Sequence, residues 1–316
     1  MLGTVVIGVI FTDIKGFPKS EYAHQGRTLG GVEYVHGGVS RNVAENIAVS
    51  GLPVTFLSMT DSDGIGREAV ERLDRCGVNT EFILPAEQNG IGKWMVILDE
   101  KGDIAAQISS PPDMKPLADF VEVYGNAFVQ DAEQIVLELD IGSETVARVL
   151  DLAERYGKKV YPVVGDLKAL LSNRDLICRT DCLVCNCEEL AALVDPSIGS
   201  LPPQQLCGCL AELIESVSFP STVVTFGEEG CVYYDKATKC VGMLPAEKTA
   251  VVDDSGAGDA FRAGVFMGLS NGFSLKNASM LGTSLAALSL SSSGRCCPAN
   301  SLPAEFLRKM SMNGKK

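Results

Sequence analysis

Residues 251–264 contain the pattern with the clearest chemical meaning in the chain. Gly256, Ala257 and Gly258 lead from a polar turn into a segment with helical periodicity, and such small residues leave the first N–H groups of a helix open to an anion. Asp259 follows directly. A carboxylate can take a hydroxyl proton while the turn neutralises a phosphoryl group, so the pattern predicts phosphoryl transfer to an alcohol. Asp259 alone is equally consistent with an acidic residue that only stabilises the helix N-terminus.

A second pattern of this kind surrounds Asn42. Gly37 and Gly38 allow close backbone approach to a small ligand, and Asn42 offers both a donor and an acceptor to hydroxyl groups. An ordinary glycine turn before a helix would explain the same residues. The chain has only 2 histidines, His24 and His36, so the expected general base is a carboxylate.

The rest of the sequence supplies elements that can position these residues. Apolar runs of strand length alternate with segments of helical periodicity, which is typical of a parallel sheet covered by helices. One helix is predicted from Ser143, as its N-cap, to Gly157, and another begins at about Pro203. The predicted strands are Val5 to Ile10, Val54 to Ser58, Ile135 to Leu139, Lys159 to Val164, Cys182 to Cys185 and Thr222 to Phe226.

Two stretches interrupt this alternation, residues 13–36 and 91–108. In the second, Trp94 to Leu98 and Ile104 to Ile108 have the character of strands on either side of a turn. We expect both stretches to form a small β-sheet lid over one end of the large sheet. The predicted organisation is an α/β core of residues 1–12, 37–90 and 109–316, with a lid of residues 13–36 and 91–108.

Composition and charge exclude several classes of function. The 316 residues carry 27 basic and 40 acidic side chains, a net charge of −13, so no surface for nucleic acid is expected. No apolar run reaches the roughly 18 residues of a membrane span, so no membrane partner is expected either. The first 14 residues lack the features of a signal peptide, which predicts a cytoplasmic protein.

The cysteines raise the question of a metal site. Five of the 11 are close together in sequence, namely Cys182, Cys185, Cys187, Cys207 and Cys209. We expect no zinc, because the first three lie on a buried strand and at its exit, where cysteine acts as a small apolar residue. The odd total also favours reduced thiols over disulfides.

One further stretch has the length of a phosphate-binding Walker A loop, residues 242–249. Glu247 stands where that loop needs its second glycine, and Pro245 would stiffen the turn. We therefore expect a strand edge and loop there, and we assign phosphate binding to residues 256–258.

Together, the patterns around Asn42 and Asp259 resemble the two signatures of the PfkB, or ribokinase-like, family of carbohydrate and nucleoside kinases. The family pattern Asp-Thr-Thr-Gly-Ala-Gly-Asp-x-Phe corresponds to residues 253–261. Further matches, over essentially the whole chain, are Asp13, Asp63 with Gly66, Asn186 with Glu189, and Thr225 with Gly227 and Gly230. The resemblance implies a ribokinase-like three-layer α/β/α core with a small β-sheet lid, and ATP-dependent phosphorylation of a hydroxymethyl group.

The resemblance also implies a role for each matching residue. Asp259 would be the catalytic base, and the amides of Gly256, Ala257 and Gly258 would form the anion hole. The acceptor would be held by Asp13, Gly37, Gly38, Arg41 and Asn42. The nucleotide would be held by Asn186, Thr225, Gly227, Gly230 and Asp253, with residues 286–294 lining the adenine pocket. The implied cofactors are ATP, Mg²⁺ placed by Glu189 through water, and the monovalent cation K⁺.

Three positions depart from the family pattern. Asp254 and Asp61 stand where threonine and glycine are usual. The strand that ends at Val163 and Val164 lacks the aspartate that many relatives carry there, and Asp166 is displaced from that position. This displacement predicts a weakened or re-routed contact with the phosphates.

The run from Gly37 to Asn46 bears on the acceptor. It resembles the Gly-Gly-Val-x-Arg-Asn-x-Ala-x-Asn of pseudouridine kinases, so the expected reaction is 5′-phosphorylation of pseudouridine. Arg41, which carries this distinction, could equally pair with an acidic side chain as a structural residue. The alternatives are a sugar kinase of ribokinase or fructokinase type and a non-catalytic sugar or nucleoside sensor. A Rossmann dehydrogenase is not expected, because no Gly-x-Gly-x-x-Gly follows the first strand.

The lid also predicts an oligomer. Apolar residues alternate between Trp94 and Ile108, so one lid face is expected to be too apolar for open solvent. We therefore expect a homodimer formed through the lid, in addition to the small-molecule partners, ATP and a sugar or nucleoside.

Overall fold

The observed elements follow the predicted alternation of strands and helices. The computed structural model describes residues 2–23, 25–292, 296–298, 302–303 and 306–307. The strands are β1 (Thr4–Ile7), β2 (Phe11–Pro18), β3 (Gly30–Gly37), β4 (Val54–Asp61), β5 (Ile83–Ala86), β6 (Gly92–Leu98), β7 (Ile104–Ser110), β8 (Gln134–Glu138), β9 (Lys159–Val163), β10 (Cys182–Asn186), β11 (Ser221–Thr225), β12 (Cys231–Asp235) and β13 (Cys240–Leu244). The helices are α1 (Val39–Val49), α2 (Gly64–Arg75), α3 (Lys115–Asp131), α4 (Ser143–Tyr156), α5 (Leu167–Ser172), α6 (Arg174–Ile177), α7 (Cys187–Leu193), α8 (Pro203–Ser216), α9 (Ala257–Ser270) and α10 (Leu275–Leu290).

The main sheet consists of two adjoining parts. Strands β5-β4-β1-β8-β9 are parallel, and β10-β11-β12-β13 continue beside them. The N–H of Asp181, just before β10, donates to the carbonyl of Val160 in β9 at 2.8 Å and so joins the parts. All six predicted strands lie among the parallel strands. The alternation does not predict β12 and β13, because these antiparallel strands follow β11 without an intervening long helix.

Helices cover both faces of this sheet. Val5 and Ile7 of β1 join a core beneath α3, α4, α7 and α8, whereas Val6 joins a core beneath α1, α2, α9 and α10. Strands buried on both faces explain the continuous apolar runs in the sequence. The result is the predicted three-layer α/β/α architecture. Within the described ranges, no helix is long and apolar enough to cross a membrane.

The helix ends agree with the sequence prediction in part. Gly157 ends α4 in a left-handed conformation with φ of 62°, as expected for a glycine C-cap. The prediction for Ser143 was wrong by one residue, because Gly142 occupies the N-cap and Ser143 is the first helical residue. The helix predicted to begin at about Pro203 is α8, and its Leu206, Leu210 and Ile214 are buried along one side.

A separate four-stranded sheet, in the order β3-β2-β6-β7, is formed by the two stretches that interrupt the alternation. We call this sheet the lid. Its strands begin at Phe11 and end at Ser110, two residues outside the predicted segments on each side. His24, which the sequence places in this region, lies outside the described residues.

Candidate active site

Helix α9 begins with an open turn. Gly256 precedes the helix with a left-handed φ of 84°, which glycine adopts without strain. Within the part of the chain that the structure describes, a Cβ placed on Gly258 would meet no atom of another segment within 4 Å. The first N–H groups of this 14-residue helix therefore face a space that an anion can enter.

Asp259 lies in this first turn and is 8% exposed. Its Oδ2 accepts a hydrogen bond from Asn42 Nδ2 at 2.7 Å, and its Oδ1 accepts one from Arg262 Nη1 at 3.2 Å. Burial raises the pKa of the Asp259 carboxyl, while the positive charge of Arg262 and the bond from Asn42 limit that rise. A desolvated carboxylate with fixed partners is suited to accept a proton from a hydroxyl group.

Asn42 reaches Asp259 because the chain turns sharply at Gly38, before α1. Gly38 has a φ of 101°, and a Cβ there would lie 2.7 Å from the carbonyl oxygen of Val9. This close approach is to the protein's own backbone, and the predicted approach to a small ligand stays a prediction. Asn42 is buried, and its Oδ1 has no partner among the described residues. Such an oxygen can accept a hydrogen bond from a substrate hydroxyl.

Arg41 points to other side chains. Its Nη1 donates to Glu45 at 2.7 Å, and Glu45 also accepts a bond from Arg72 at 2.9 Å. Burial of Glu45 opposes its negative charge, but the two arginines outweigh burial and lower its pKa. This is the structural pairing that the sequence leaves open. Arg41 Nε and Nη2 are buried without a partner in the described residues, so contact with the acceptor stays a prediction.

Asp13 belongs to the lid. It is buried in β2, next to Val35 of β3 and Trp94 of β6 in the strand ladders. Gly37 ends β3 and leads through Gly38 into α1. The lid and the helix that carries Asn42 are therefore joined directly by the predicted glycine pair.

A cavity of about 290 Å³ lies at the start of α9 and the ends of β10 and β11, and we call it the phosphate-side cavity. The residues that line it include Asn186, Glu189, Thr225, Gly258 and Arg262. The structure thus brings three residues of the predicted nucleotide and metal sites, Asn186, Thr225 and Glu189, together with the open turn before Asp259.

Asn186 and Glu189 hold each other in place. The Asn186 side chain accepts from the Glu189 N–H at 2.7 Å, and a Glu189 carboxylate oxygen accepts from the Asn186 N–H at 2.9 Å. This reciprocal capping box starts α7. The Asn-x-x-Glu motif therefore has a local structural role, and that role also fixes both polar groups at the cavity wall.

The Thr-x-Gly-x-x-Gly motif forms the turn between β11 and β12. Gly227 and Gly230 both have positive φ, 56° and 94°, and a Cβ on Gly230 would overlap the backbone at Leu244. Thr225 ends β11 and faces the phosphate-side cavity. Asp253 accepts from the N–H of Ser255 at 2.9 Å and shapes the turn that leads to α9. These roles in the turns are local, and contact with a nucleotide stays a prediction.

Arg262 is a functional candidate that the sequence analysis missed. It contacts Asp259, lies 3.5 Å from Glu189 Oε2, and donates to the carbonyl of Val184 at 3.4 Å. One cation thus connects the candidate base to the candidate metal-placing carboxylate. The signal was available, because residues three apart on a helix share a face.

Glu138 and Asp140, at the end of β8, were also missed. Glu138 Oε2 accepts from the N–H of Val9 at 2.9 Å, and burial, followed by the negative charge of Asp140, raises its pKa to about 8. Burial also raises the pKa of Asp140 to about 6. Acidic residues where an apolar strand ends were the available signal, because the carboxyl ends of parallel strands meet at one edge.

The departures from the family pattern have local explanations in two cases. Asp140 accepts from the N–H of Gly165 at 2.9 Å, so a neighbouring strand supplies a carboxylate beside the apolar end of β9, while Asp166 caps α5. Asp61 accepts from the N–H of Gly90 at 2.6 Å and from Lys93 Nζ at 3.2 Å, and it thereby ties β4 to the lid. Asp254 is exposed, and nothing in the structure explains its presence.

Comparisons with known proteins show which family the chain belongs to. Residues 1–301 match the sequence model of the family described as pfkB family carbohydrate kinase. The chain belongs to the pfkB family. It is 31% identical over 282 residues to the guanosine-inosine kinase of Exiguobacterium acetylicum. The aligned region covers 89% of this chain and 92% of that protein. It is 25% identical over 262 residues to the pseudouridine kinase of Escherichia coli strain K12. Here the aligned region covers 83% of this chain and 82% of that protein.

Solved structures show the same fold. A structure of Arabidopsis thaliana ribokinase complexed with ribose and ATP superposes with a TM-score of 0.80 at 20% identity, covering 97% of this chain and 98% of that one. The adenosine kinase of Sinorhizobium meliloti gives a TM-score of 0.74 at 20% identity, covering 98% and 99%. The predicted ribokinase-like fold is confirmed. As a pfkB-family member, the chain is a phosphotransferase with an alcohol group as acceptor, which sets aside the sensor alternative.

The residues of the candidate site can be compared with the ligands that metal ions require. Within the described ranges, no three His, Cys, Asp or Glu residues come together as metal ligands. Mg²⁺ does not require such a cage, because it keeps several waters and binds through one or two carboxylates together with phosphates. Glu189 and Asn186 at the wall of the phosphate-side cavity fit a hydrated ion of this kind. Cys182 and Cys185 are buried in β10, where burial raises the pKa of both thiols.

Proposed function

We propose that this chain transfers the terminal phosphoryl group of ATP to the 5′-hydroxyl of a ribonucleoside. The observation that carries the proposal is the 2.7 Å hydrogen bond from Asn42 to Asp259 in the first turn of α9. Asp259 follows the anion-binding turn, whereas Asn42 belongs to the helix that leaves the lid. The candidate base thus stands at the junction of the phosphate side and the acceptor side.

The chemistry follows from this position. Asp259 takes the hydroxyl proton while the hydroxyl oxygen forms a bond to the terminal phosphorus of ATP. The bond from that phosphorus to the bridging oxygen breaks, and ADP leaves with the electron pair. The N–H groups of Gly256, Ala257 and Gly258 neutralise charge on the transferring group. The buried setting of Asp259 strengthens its affinity for the proton.

The phosphate-side cavity is proposed to hold the nucleotide. Asn186 and Thr225 at its wall, with Gly227, Gly230 and Asp253 in the adjoining turns, are the proposed contacts. Mg²⁺, held through water by Glu189, would neutralise charge on the phosphates. We also propose dependence on K⁺, which is tested by comparing turnover in potassium and sodium salts. The adenine pocket is proposed at the end of α10, but Ser293 and Gly294 of that stretch lie outside the described residues.

The acceptor side is proposed to bind a ribosyl group. The adjacent 2′- and 3′-hydroxyls can donate to a carboxylate and a carboxamide, here Asp13 and Asn42, which leaves the 5′-hydroxyl directed at Asp259. The buried Oδ1 of Asn42, which has no partner among the described residues, supports this arrangement. Sites that bury polar groups for substrate hydroxyls reject analogues without them, so 2′-deoxynucleosides should be poor substrates.

Two kinds of nucleoside are supported. The run from Gly37 to Asn46 favours pseudouridine, and the E. coli relative of 25% identity carries that activity in its name. Guanosine and inosine are supported by the relative of 31% identity. Arg41 pairs with Glu45 as a structural residue would, and this pairing weakens the support that Arg41 gives to pseudouridine.

The lid is also proposed to form a homodimer. Residues of one lid face are unusually exposed for their size and apolar character, namely Val32, Tyr34, Met95 and Ile108, which are 62, 65, 45 and 70% exposed. The ladders place them on the same face, since Tyr34 and Met95 are both neighbours of Ile14, and Ile108 is the neighbour of Met95. A patch of this kind favours self-association.

ADP formation from ATP, measured against a panel of acceptors, tests the proposed function. The panel contains pseudouridine, guanosine, inosine, uridine, ribose, fructose, 2′-deoxyguanosine and no acceptor. We expect rapid ADP formation with at least one ribonucleoside and little with its 2′-deoxy analogue. Turnover of fructose without turnover of any ribosyl compound would overturn the acceptor while leaving the kinase intact. ADP formation that no acceptor stimulates would contradict the proposed function.

A further inference from the structure

We infer that Trp94 is the surface on which the base of the acceptor stacks, and that it makes this site selective for nucleosides over free sugars. The inference rests on the proposed function, because it assumes that Asp13 holds the sugar. Trp94 is the only tryptophan in the chain. Its place in the lid, the orientation of its ring and the character of its neighbours carry the inference.

The strand ladders place Trp94 beside Asp13. Asp13 of β2 is the ladder neighbour of Trp94 in the parallel strand β6 and of Val35 in the antiparallel strand β3. Ladder neighbours point to the same face of a sheet and lie about 4.8 Å apart. One carboxylate is therefore flanked by an indole ring and an aliphatic side chain. That combination suits a ligand with a polar edge next to a flat apolar surface.

This face of the lid is the one turned toward the core. Phe11 shares it, two residues before Asp13 in β2, and packs against the core of the main sheet. Val96 shares it as well, two residues after Trp94, and is only 1% exposed. The opposite face carries Met95, which neighbours both Trp94 and Val96 in sequence and is 45% exposed. Trp94 itself is partly exposed, so its ring remains accessible.

The indole edge is fixed by the neighbouring strand. Trp94 Nε1 donates to Gln107 Oε1 of β7 at 3.0 Å, so the polar atom of the ring is already satisfied within the lid. What remains for a ligand is the apolar ring face. Nucleobases stack on aromatic rings of this kind with little dependence on base identity, because every base has a π-face. Free ribose or fructose has no such surface, so Trp94 would contribute binding to nucleosides alone.

Because Trp94 is the only tryptophan, its fluorescence reports on this contact directly. The wild-type protein is titrated with inosine, pseudouridine and ribose, with excitation at the red edge of tryptophan absorption. We expect each nucleoside that supports ADP formation to quench the emission in a saturable way, and ribose to leave it nearly unchanged. Robust ADP formation with a nucleoside that does not quench would overturn the inference while leaving the proposed function standing.

Variants supply the second measurement. We expect Trp94→Ala to raise KM for the nucleoside about 10- to 100-fold, the usual range for loss of a base–aromatic stack, with a much smaller change in kcat. Trp94→Phe should recover most of the affinity. Tyr124→Ala, at an exposed aromatic residue of α3 outside the lid, is the matched control and should leave KM unchanged. An equal loss for ribose and nucleosides in Trp94→Ala, or no loss at all, would contradict a stacking role.

The two proposals fail in different ways. If the wild-type protein forms no ADP with any acceptor, the proposed function fails. Saturable quenching by nucleosides would in that case still support Trp94 as a base-binding surface. If ADP forms but nucleosides neither quench nor lose affinity in Trp94→Ala, only the inference about Trp94 fails.

Discussion

The phosphate side and the lid side of this site are built in different ways. On the phosphate side, local motifs set the backbone that carries the polar groups, as in the capping box of Asn186 and Glu189 or the turn before Asp259. On the lid side, the neighbours of Asp13 come from strands that are distant in sequence, with Trp94 on β6. The phosphate side can therefore be recognised from local motifs, whereas the lid side depends on strand register.

This difference bears on function. Every member of a kinase family must bind the same phosphates, and local motifs preserve that geometry whatever the rest of the chain does. Acceptors differ, and side chains on a sheet can be exchanged one at a time without disturbing the backbone that carries them. We therefore expect catalysis to depend on the phosphate side and acceptor selectivity to depend on the lid side.

Apart from loss of the base itself, the largest expected effect concerns Asn42, where the two sides meet. Asn42→Ala removes the 2.7 Å bond to Asp259 and a proposed contact to the acceptor. We expect kcat/KM for the nucleoside to fall about 100-fold, since buried hydrogen bonds to charged groups are among the stronger ones. The Kd of ATP should not change. Asn126→Ala, at an exposed position on α3, is the control, and equal losses in the two variants would contradict the prediction.

A second prediction concerns stability beneath the site. Glu138 has its pKa raised from 4.5 to about 8, so the folded state binds the proton more tightly than the unfolded state. The free energy of unfolding therefore falls as the pH rises from about 4.5 to 8, because the unfolded state releases its proton before the folded state does. One pKa unit corresponds to about 1.4 kcal/mol, so even part of this shift amounts to a few kcal/mol.

Glu138→Gln should remove this loss. The variant should gain in Tm relative to the wild type as the pH is raised from 5 to 8, because its side chain has no proton to lose. Thermal unfolding at both pH values measures the difference, with Glu144→Gln at the exposed start of α4 as control. If the Tm difference between Glu138→Gln and the wild type stays constant across this range, Glu138 does not hold a proton in the folded state between pH 5 and 8.

A third prediction isolates the phosphate side. Arg262 opposes the rise that burial causes in the pKa of Asp259, so Arg262→Gln should raise that pKa further. Because the base must be ionised to act, the acid side of the kcat profile should move to higher pH, with about a tenfold loss at the acid end. Arg179→Gln, which breaks the surface pairs with Asp151 and Glu154, serves as control. If the pH profile of kcat does not shift, Arg262 does not affect the pKa of Asp259.

The smallest effect on turnover is expected from the outer face of the lid. Ile108→Glu places a charge in the exposed apolar patch and should convert the proposed dimer to a monomer in sedimentation at micromolar concentration. Val123→Glu, at an exposed apolar residue of α3, should leave the dimer intact. A wild-type monomer under the same conditions would rule out the lid dimer.

The contrast between the two sides also explains which parts of the structure could be predicted from the sequence. The open turn at Gly256 and Gly258 and the alternation of strands and helices were predictable, because periodicity and turn chemistry are local. The lid strands were predictable as elements. Their pairing was not, so nothing in the sequence indicated that Trp94 stands beside Asp13.

The residues that the sequence analysis missed share one property, which is that their chemical behaviour depends on their buried surroundings. Glu138 looks like one residue of an apolar strand, and only its 2% exposure beside Val9 makes its carboxyl unusual. Arg262 lies within the motif of Asp259 but gains its role from Glu189, which is distant in sequence. The available signals, a spacing of three on a helix and acidic residues at the end of a strand, mark these positions but do not reveal their three-dimensional surroundings.

The central claim is that Asp259 is the base that activates the acceptor hydroxyl. Its most direct test is Asp259→Asn, measured as kcat for ADP formation with the best nucleoside and as Kd for ATP. Asparagine has nearly the same shape but cannot take the proton, so we expect kcat to fall by roughly 10²–10⁴-fold while the Kd of ATP is kept. Near-normal kcat in Asp259→Asn would contradict this account of the site.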